Sequence, residues 1–131
     1  MDLTVLVDSN VYIDLLRKHL DPAEELTARI SQLDLAVCGM VRVEVLRGIR
    51  GEKARARMTA FFDVLQNVPT DNHLWEEAAE LAWTLDRKGI VIPAQDIVIS
   101  CCARRIGATV LTMDAHYRAI PGVQVRDWPT T

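Results

Sequence analysis

The sequence predicts one α/β domain over residues 1–131, with a mainly parallel sheet of about four to five strands covered by helices on both faces. Residues 3–7 and 108–112 form continuous apolar runs, which are typical of strands buried on both faces. The segments between the predicted strands carry apolar residues at helical spacing. Because strands alternate with helices, a parallel sheet with right-handed connections is expected.

The composition is that of an ordinary globular protein. Half of the residues are hydrophobic, a quarter are charged, and the formal net charge is −3. No apolar run approaches the roughly 18 residues of a membrane span, and no basic-then-apolar leader is visible. We therefore expect a cytoplasmic protein without a membrane partner.

The three cysteines predict neither a disulfide framework nor a zinc site. Their number is odd, and Cys101 and Cys102 are adjacent in an apolar segment. No paired Cys or His motif has the spacing of zinc ligands. We interpret all three as small buried hydrophobic residues.

The N-terminal third is predicted to contain two strands and two helices. The first strand leads into a helix over residues 9–19, with Ser9 or Asn10 as its N-cap. An Asp-Pro pair starts a second helix over residues 21–32, because proline is favoured at the first helical position. The apolar residues 34–38 form the second strand.

The middle third is predicted to be mostly helical. A valine-rich helix over residues 40–51 ends at a glycine, and a second helix covers residues 52–66. Residues 67–70 are expected to form an edge strand, since their proline cannot donate to a ladder. A long amphipathic helix then covers residues 71–89.

The C-terminal third is predicted to contain the central helix. After a loop at residues 90–94, the helix over residues 95–105 is apolar nearly all round. The buried strand 108–112, a short helix over residues 115–120 and a last strand over residues 123–126 follow.

Four acids occur where a carboxylate is costly. Asp8 and Asp114 directly follow the two apolar strands, Asp96 opens the central helix, and Glu44 interrupts a valine-rich segment. Each has an ordinary alternative, because the three aspartates could cap or favour helix starts and Glu44 could pair with a neighbouring arginine. In a parallel sheet, however, all four come to one edge, where open α/β sheets bind their ligands.

Clustered carboxylates repel one another unless a cation neutralises them. Oxygen ligands suit Mg²⁺ or Mn²⁺ rather than zinc. Such an ion can activate water and neutralise charge on a phosphoryl group. The acids therefore point to metal-dependent hydrolysis of a phosphodiester.

Three segments resemble the motifs of the PIN-domain family. The strand ending in Val-Asp-Ser-Asn at residues 7–10 is similar to the opening of that family. The Val-Glu-Val-Leu-Arg-Gly segment at residues 43–48 is similar to its glutamate-bearing helix. The closing part resembles the family's Asp-led helix, which begins at Asp96, and its Thr-x-Asp-x-His-Phe/Tyr motif, which is matched with tyrosine at residues 112–117.

This resemblance spans nearly the whole chain and implies a site, an activity and a partner. It implies a PIN-like nuclease domain whose metal-binding and catalytic residues are Asp8, Glu44, Asp96 and Asp114, with supporting hydrogen bonds from Ser9, Asn10 and Thr112. At this size the chain looks most like VapC toxins, which are Mg²⁺- or Mn²⁺-dependent ribonucleases inhibited by a VapB antitoxin. A homodimer or a toxin–antitoxin hetero-oligomer is therefore expected.

A basic strip flanks the glutamate of the third helix and continues into the next helix. Between positions 42 and 57 there are six basic residues and two acidic ones, a local charge of +4. Its basic members are Arg42, Arg47, Arg50, Lys53, Arg55 and Arg57. We interpret Arg42, Arg47, Arg50 and Arg55 as candidates for binding the RNA backbone, although contact with solvent or antitoxin is an alternative.

Four aromatic or imidazole residues have two readings each. His116 and Tyr117 either stack on a base or pack the short helix against the sheet. Trp75 and Trp83 lie on the long helix and are expected in the core or at a dimer interface.

Other functions remain open at this point. A receiver domain also clusters acids at strand ends, but its phosphoacceptor aspartate on a middle strand and its late lysine are not evident. A housekeeping PIN nuclease without an antitoxin, or a catalytically silent PIN-like RNA-binding module, would share most of these motifs.

Overall fold

A computed structural model describes residues 3–129. Within that range the strands are β1 (Val5–Val7), β2 (Leu35–Cys38), β3 (Gln66–Val68), β4 (Thr109–Thr112) and β5 (Gln124–Asp127). The α-helices are α1 (Ser9–Arg17), α2 (Pro22–Thr27), α3 (Gly39–Leu46), α4 (Glu52–Val64), α5 (Asn72–Arg87) and α6 (Ala94–Ile106). Two short 3₁₀ segments cover Gln32–Asp34 and Ala115–Ala119.

The five strands form one parallel sheet in the order β3-β2-β1-β4-β5. Every residue of β1, β2 and β4 is buried. Because alternate side chains point to opposite faces, both faces of these strands are covered. The α/β fold class predicted from the sequence is confirmed.

The position of β1 creates a crevice at one edge of the sheet. From β1 the chain passes to β2 and β3 on one side, whereas β4 and β5 lie on the other. Directly after β1, the Asp8 backbone N–H donates to the Leu111 carbonyl at 2.9 Å. The carboxyl ends of β1 and β4 thus meet at a topological switch point, where ligands of open α/β sheets bind.

The N-cap of α1 differs from the sequence prediction. Asp8 is the cap residue, with extended backbone, and its side chain accepts a hydrogen bond from the Ser9 N–H. The prediction of Ser9 or Asn10 was wrong by one or two positions, and the alternative that Asp8 itself caps the helix is confirmed. Because α1 starts almost directly after β1, the single residue between them, Asp8, serves as the cap.

Several helices are shorter than their sequence patterns suggest. Helix α2 ends at Thr27, because Ser31 caps a separate 3₁₀ turn by accepting from the Leu33 N–H. Helix α3 ends at Leu46, just before Gly48, a residue that weakens helices. The edge strand β3 starts at Gln66, so that Pro69 lies beyond it rather than inside it.

The buried and exposed residues settle two further expectations. All three cysteines are free and buried, as predicted. Trp75 and Trp83 are 45% and 57% exposed, so the core reading for this pair is wrong. Within residues 3–129, no helix is both long and apolar enough to cross a membrane.

Candidate metal centre

The four predicted acids converge at the carboxyl edge of β1 and β4. Asp8 follows β1, Asp114 follows β4, Asp96 lies in the first turn of α6, and Glu44 lies on α3. The charge of Asp8 acts on Asp96 and Glu44, and that of Asp114 on Asp8 and Asp96. The structure therefore brings together acids separated by up to 106 positions in the sequence.

Thr112 joins Asp8 to Asp114 through one fully buried hydroxyl. The hydroxyl donates to Asp8 Oδ2 at 2.8 Å. It accepts from the Asp114 N–H at 2.9 Å and from Asn10 Nδ2 at 3.2 Å. One donor and two acceptor positions are all that a hydroxyl offers, so Thr112 is saturated and holds its neighbours in place.

Ser9 joins Asp8 to Glu44. Its backbone N–H donates to Asp8 Oδ1 at 2.8 Å, and its hydroxyl lies 3.0 Å from Glu44 Oε1. Asn10 supports the same region, since its Oδ1 accepts from the Met113 N–H at 3.3 Å. Ser9 and Thr112 thus contact the acids directly, whereas Asn10 contacts Thr112 and the Met113 backbone.

Tyr117 has a role that the sequence reasoning missed. Its side chain is fully buried, which contradicts the reading that it stacks on a base. Its hydroxyl donates to Asp96 Oδ1 at 3.2 Å and also interacts electrostatically with Asp8. Burial and the charges of these acids raise the pKa of Tyr117, so the hydroxyl keeps its proton. Tyrosine in place of phenylalanine in the closing motif is the signal that could have indicated this.

His116 lies over the two other aspartates. Its Nδ1 is 2.9 Å from Asp114 Oδ2 and 3.5 Å from Asp96 Oδ2. The side chain is half-exposed. The sequence reasoning assigned His116 to base stacking or packing, and did not predict its place beside two carboxylates.

Crowding shifts the protonation of the acids toward the neutral form. Burial, followed by the charges of Asp8 and Asp114, raises the pKa of Asp96 to about 6. Burial also raises the pKa of Asp8 and of Glu44. None of the salt bridges formed within residues 3–129 joins a lysine or arginine to any of these acids. The negative charge is therefore left for another cation.

The donor set fits a divalent metal ion. One ligand atom each from Asp96, Asp114 and His116 lie within 4.8 Å of one another, and Asp8 is hydrogen-bonded into the same cluster. Carboxylate oxygens with room for water suit Mg²⁺ or Mn²⁺. The arrangement can hold such an ion, and the pKa of Asp96, raised to about 6, allows this carboxyl to transfer a proton near neutral pH.

The basic strip divides into two parts in the structure. Arg42 pairs with Asp63 at 2.8 Å and Arg57 pairs with Asp21 at 2.7 Å, both away from the acids. In contrast, Arg50 lines a groove of about 590 Å³ that reaches Glu44. Arg17 lines the same groove but stands outside the predicted strip, because it belongs to α1.

Two other members of the strip are exposed. The charge of Arg47 acts on Glu44 and lowers the pKa of that carboxyl against the larger effect of burial. Arg55 lies on the exposed side of α4. Substrate contact at Arg42, Arg47, Arg50 and Arg55 stays a prediction, which the positions of Arg47 and Arg50 favour most.

Solved structures with the same fold include VapBC complexes. A DNA-bound VapBC complex from Salmonella typhimurium superposes with a TM-score of 0.80 at 21% identity, over 96% of this chain and 98% of that one. VapBC2 from Rickettsia felis, bound to a promoter DNA fragment, gives 0.77 at 22% identity over 96% and 99%. FitAcB from Neisseria gonorrhoeae gives 0.69 at 19% identity over 93% and 96%. At these identities the similarity establishes the fold.

The family follows from the sequence over most of its length. A comparison with curated proteins finds no match. The sequence model of the PIN domain matches residues 5–123, a range that includes all four acids and the four strands β1 to β4. The chain belongs to the PIN-domain family.

Proposed function

We propose that this protein is a metal-dependent endoribonuclease that hydrolyses phosphodiester bonds of RNA. The observation that carries the proposal is the convergence of Asp8, Glu44, Asp96 and Asp114 without a salt bridge to a lysine or arginine among the described residues. We assign these four acids to the binding of Mg²⁺ or Mn²⁺. A bound divalent ion would activate a water and neutralise charge on the phosphate.

The chain's own residues supply order and proton transfer. Ser9, Thr112 and Tyr117 each donate a hydrogen bond that fixes a carboxylate of the site. Because the pKa of Asp96 is raised to about 6, this carboxylate can take a proton from water near neutral pH. Hydrolysis adds that water to phosphorus and breaks one P–O bond of the backbone.

The first test replaces Asp8 with asparagine. Asp8→Asn keeps the side-chain shape but removes a charge, so we expect loss of RNA cleavage and of Mn²⁺ binding measured by calorimetry. The matched control is Asp14→Asn on the same helix, where the carboxylate forms an ordinary salt bridge with Lys18 at 2.9 Å. Unchanged Mn²⁺ binding in Asp8→Asn would place the metal elsewhere and contradict the assignment.

The groove beside Glu44 is the proposed path of the RNA backbone. Arg50 and Arg17 line it, and phosphate contacts from arginine make binding depend on salt. We expect Arg50→Glu to weaken RNA binding and to flatten its salt dependence by about one unit of log–log slope. Arg55→Glu should have a smaller effect, and Lys88→Glu, at the end of α5, none. An unchanged slope in Arg50→Glu would assign this residue to solvent or to a protein partner.

We further propose that the protein acts in the cytoplasm as the toxin of a VapBC-type pair. Support comes from the shared fold with toxins solved in VapBC complexes. The four acids lie beside a groove, lined by Arg17 and Arg50, that reaches Glu44. We expect an antitoxin peptide to bind there by inserting an arginine or lysine toward the carboxylates. That cation would compete with the metal, a coupling that acts equally in both directions.

Expression and titration test the toxin assignment. Wild-type protein should arrest growth of its host when expressed alone, whereas Asp8→Asn should not. A small inhibitor should co-purify from the native host, and its inhibition should weaken as Mn²⁺ is raised. Harmless expression without a co-purifying protein would favour a housekeeping PIN nuclease. Growth arrest without cleavage activity would favour a silent RNA-binding module.

A homodimer is the oligomeric state that we propose for the free protein. The exposed face of α5 carries Trp75 and Trp83, and Arg87 packs over the Trp83 ring at 4.8 Å. Light scattering should give twice the mass of one chain, and Trp83→Ala should lower that mass at micromolar concentration. A monomer in the wild type at that concentration would overturn this assignment.

A further inference from the structure

His116 occupies a place in the acid cluster that the proposed four-carboxylate site leaves unexplained. Its Nδ1 is 2.9 Å from Asp114 Oδ2 and 3.5 Å from Asp96 Oδ2. The three atoms form a single group of possible ligands, all within 4.8 Å of one another. Neither composition nor helix packing requires a histidine between two carboxylates at a half-exposed position.

The local backbone holds the ring in this place. Asp114 caps the 3₁₀ segment Ala115–Ala119 by accepting the His116 N–H at 2.9 Å. The next residue, Tyr117, is fully buried and bonds to Asp96. His116 is thus tied to one aspartate by its own backbone and to the other by its neighbour, so its position is built into the turn.

The distances from His116 Nδ1 to the two carboxylate oxygens suit hydrogen bonds, and they also suit atoms that bind one metal ion together. Two ligands at about 2.1 Å from a metal, at right angles to each other, lie about 3 Å apart. The 2.9 Å separation from Asp114 is close to that value, and the 3.5 Å separation from Asp96 fits two ligands at a wider angle on the same ion. A neutral imidazole with its proton on Nε2 leaves the Nδ1 lone pair available for a metal.

We propose that His116 Nδ1 is a ligand of the ion held by Asp96 and Asp114, and that it makes the site prefer first-row transition ions such as Mn²⁺ and Co²⁺ over Mg²⁺. The inference rests on the proposed function, since it concerns the ion of that same site. Mg²⁺ prefers six oxygen ligands, whereas transition ions accept imidazole nitrogen. An all-carboxylate site would show no such preference from this position.

Two measurements on the metal itself test the proposal without using activity. Pulsed EPR of the Mn²⁺-loaded wild-type protein should show coupling to one imidazole ¹⁴N, which His116→Gln should lose. In calorimetric titrations, His116→Gln should weaken Co²⁺ binding at least about tenfold, the scale of lost metal-site partners. The same variant should change Mg²⁺ affinity less than about threefold, because glutamine offers an oxygen instead.

Control variants separate this inference from the proposed function. His73→Gln, at an exposed position of α5, should leave every metal parameter at the wild-type value. Absence of ¹⁴N coupling in the wild type, or an equal loss of Co²⁺ and Mg²⁺ affinity in His116→Gln, would overturn the role of His116 as a ligand. Those results leave the proposed site intact as long as Asp8→Asn still abolishes Mn²⁺ binding. If the wild type binds none of these ions, both proposals fail together.

Discussion

The charge of Asp96 should make the metal-free protein less stable as the pH rises. Its pKa is raised from 3.8 to about 6, chiefly by burial and then by Asp8 and Asp114. Between these two values the unfolded chain has lost the proton that the folded protein still holds. The contribution of Asp96 to the free energy of unfolding is therefore fully present below about pH 4. It is lost as the pH rises through 6.

The size of the effect follows from the shift. A change from 3.8 to about 6 corresponds to about 3 kcal/mol at 1.36 kcal/mol per pKa unit. The Asp96 side chain is only 15% exposed, so water screens little of this cost. In a chain of this length the difference amounts to roughly 10 °C in Tm.

Urea unfolding in EDTA between pH 4 and 7.5 measures the effect as a difference between two proteins. Wild type and Asp96→Asn should have similar free energies of unfolding near pH 4, and the variant should be about 3 kcal/mol more stable at pH 7. Asp71→Asn is the control of opposite sign, because hydrogen bonds to Leu74 and Arg105 lower the pKa of Asp71. Compared with the wild type, Asp71→Asn should be less stable at neutral pH, and this difference should shrink toward pH 4.

Bound metal should offset the loss of stability that ionised Asp96 causes, and it should do so in the wild type alone. Mn²⁺ at about 100 times its Kd should stabilise the wild type by about 2.7 kcal/mol and leave Asp96→Asn unchanged. A wild type that gains stability relative to Asp96→Asn as the pH rises would refute the reasoning. Such a result would mean that Asp96 is ionised and paired in the folded protein.

Two other predictions concern buried side chains and are measured by urea unfolding without metal. Tyr117→Phe removes a hydrogen bond to the Asp96 carboxylate and should cost about 1.5–3 kcal/mol, whereas Tyr12→Phe removes a buried hydroxyl without a partner among the described residues and should be neutral or stabilising. Equal effects of the two changes would show that the Tyr117 hydroxyl does not support the acids. Leu6→Ala in the central strand should cost about 2–5 kcal/mol, and Leu33→Ala, at a position 90% exposed, less than about 0.5 kcal/mol. A small loss in Leu6→Ala would mean that the sheet relaxes around the cavity.

The sequence determined the main elements and the four acids of the candidate site. The apolar run before Asp8 predicts a strand buried on both faces, and in the structure every residue of β1 is buried. Such runs depend on local hydrophobicity, which is readable without tertiary contacts. The convergence of Asp8 and Asp114 was also predictable, because parallel strands place their carboxyl ends at a common edge.

Local signals were weaker at element ends. Whether Asp8 or Ser9 caps α1 depends on how directly the strand passes into the helix, and both residue types are good caps. The early end of α3 depends on the chain turning at residues 47–51 to start α4. These limits follow from packing between elements, which sequence periodicity does not contain.

The tertiary structure alone decided which side chains serve the acids. His116 and Tyr117 are neighbours in the sequence, yet one ring is half-exposed over Asp114 and the other is buried against Asp96. The structure also separated Arg50, which lines the groove beside Glu44, from Arg42, which pairs with Asp63. Residue type and spacing limit what a side chain can do. Its actual contacts are set by the elements that fold against it from distant parts of the chain.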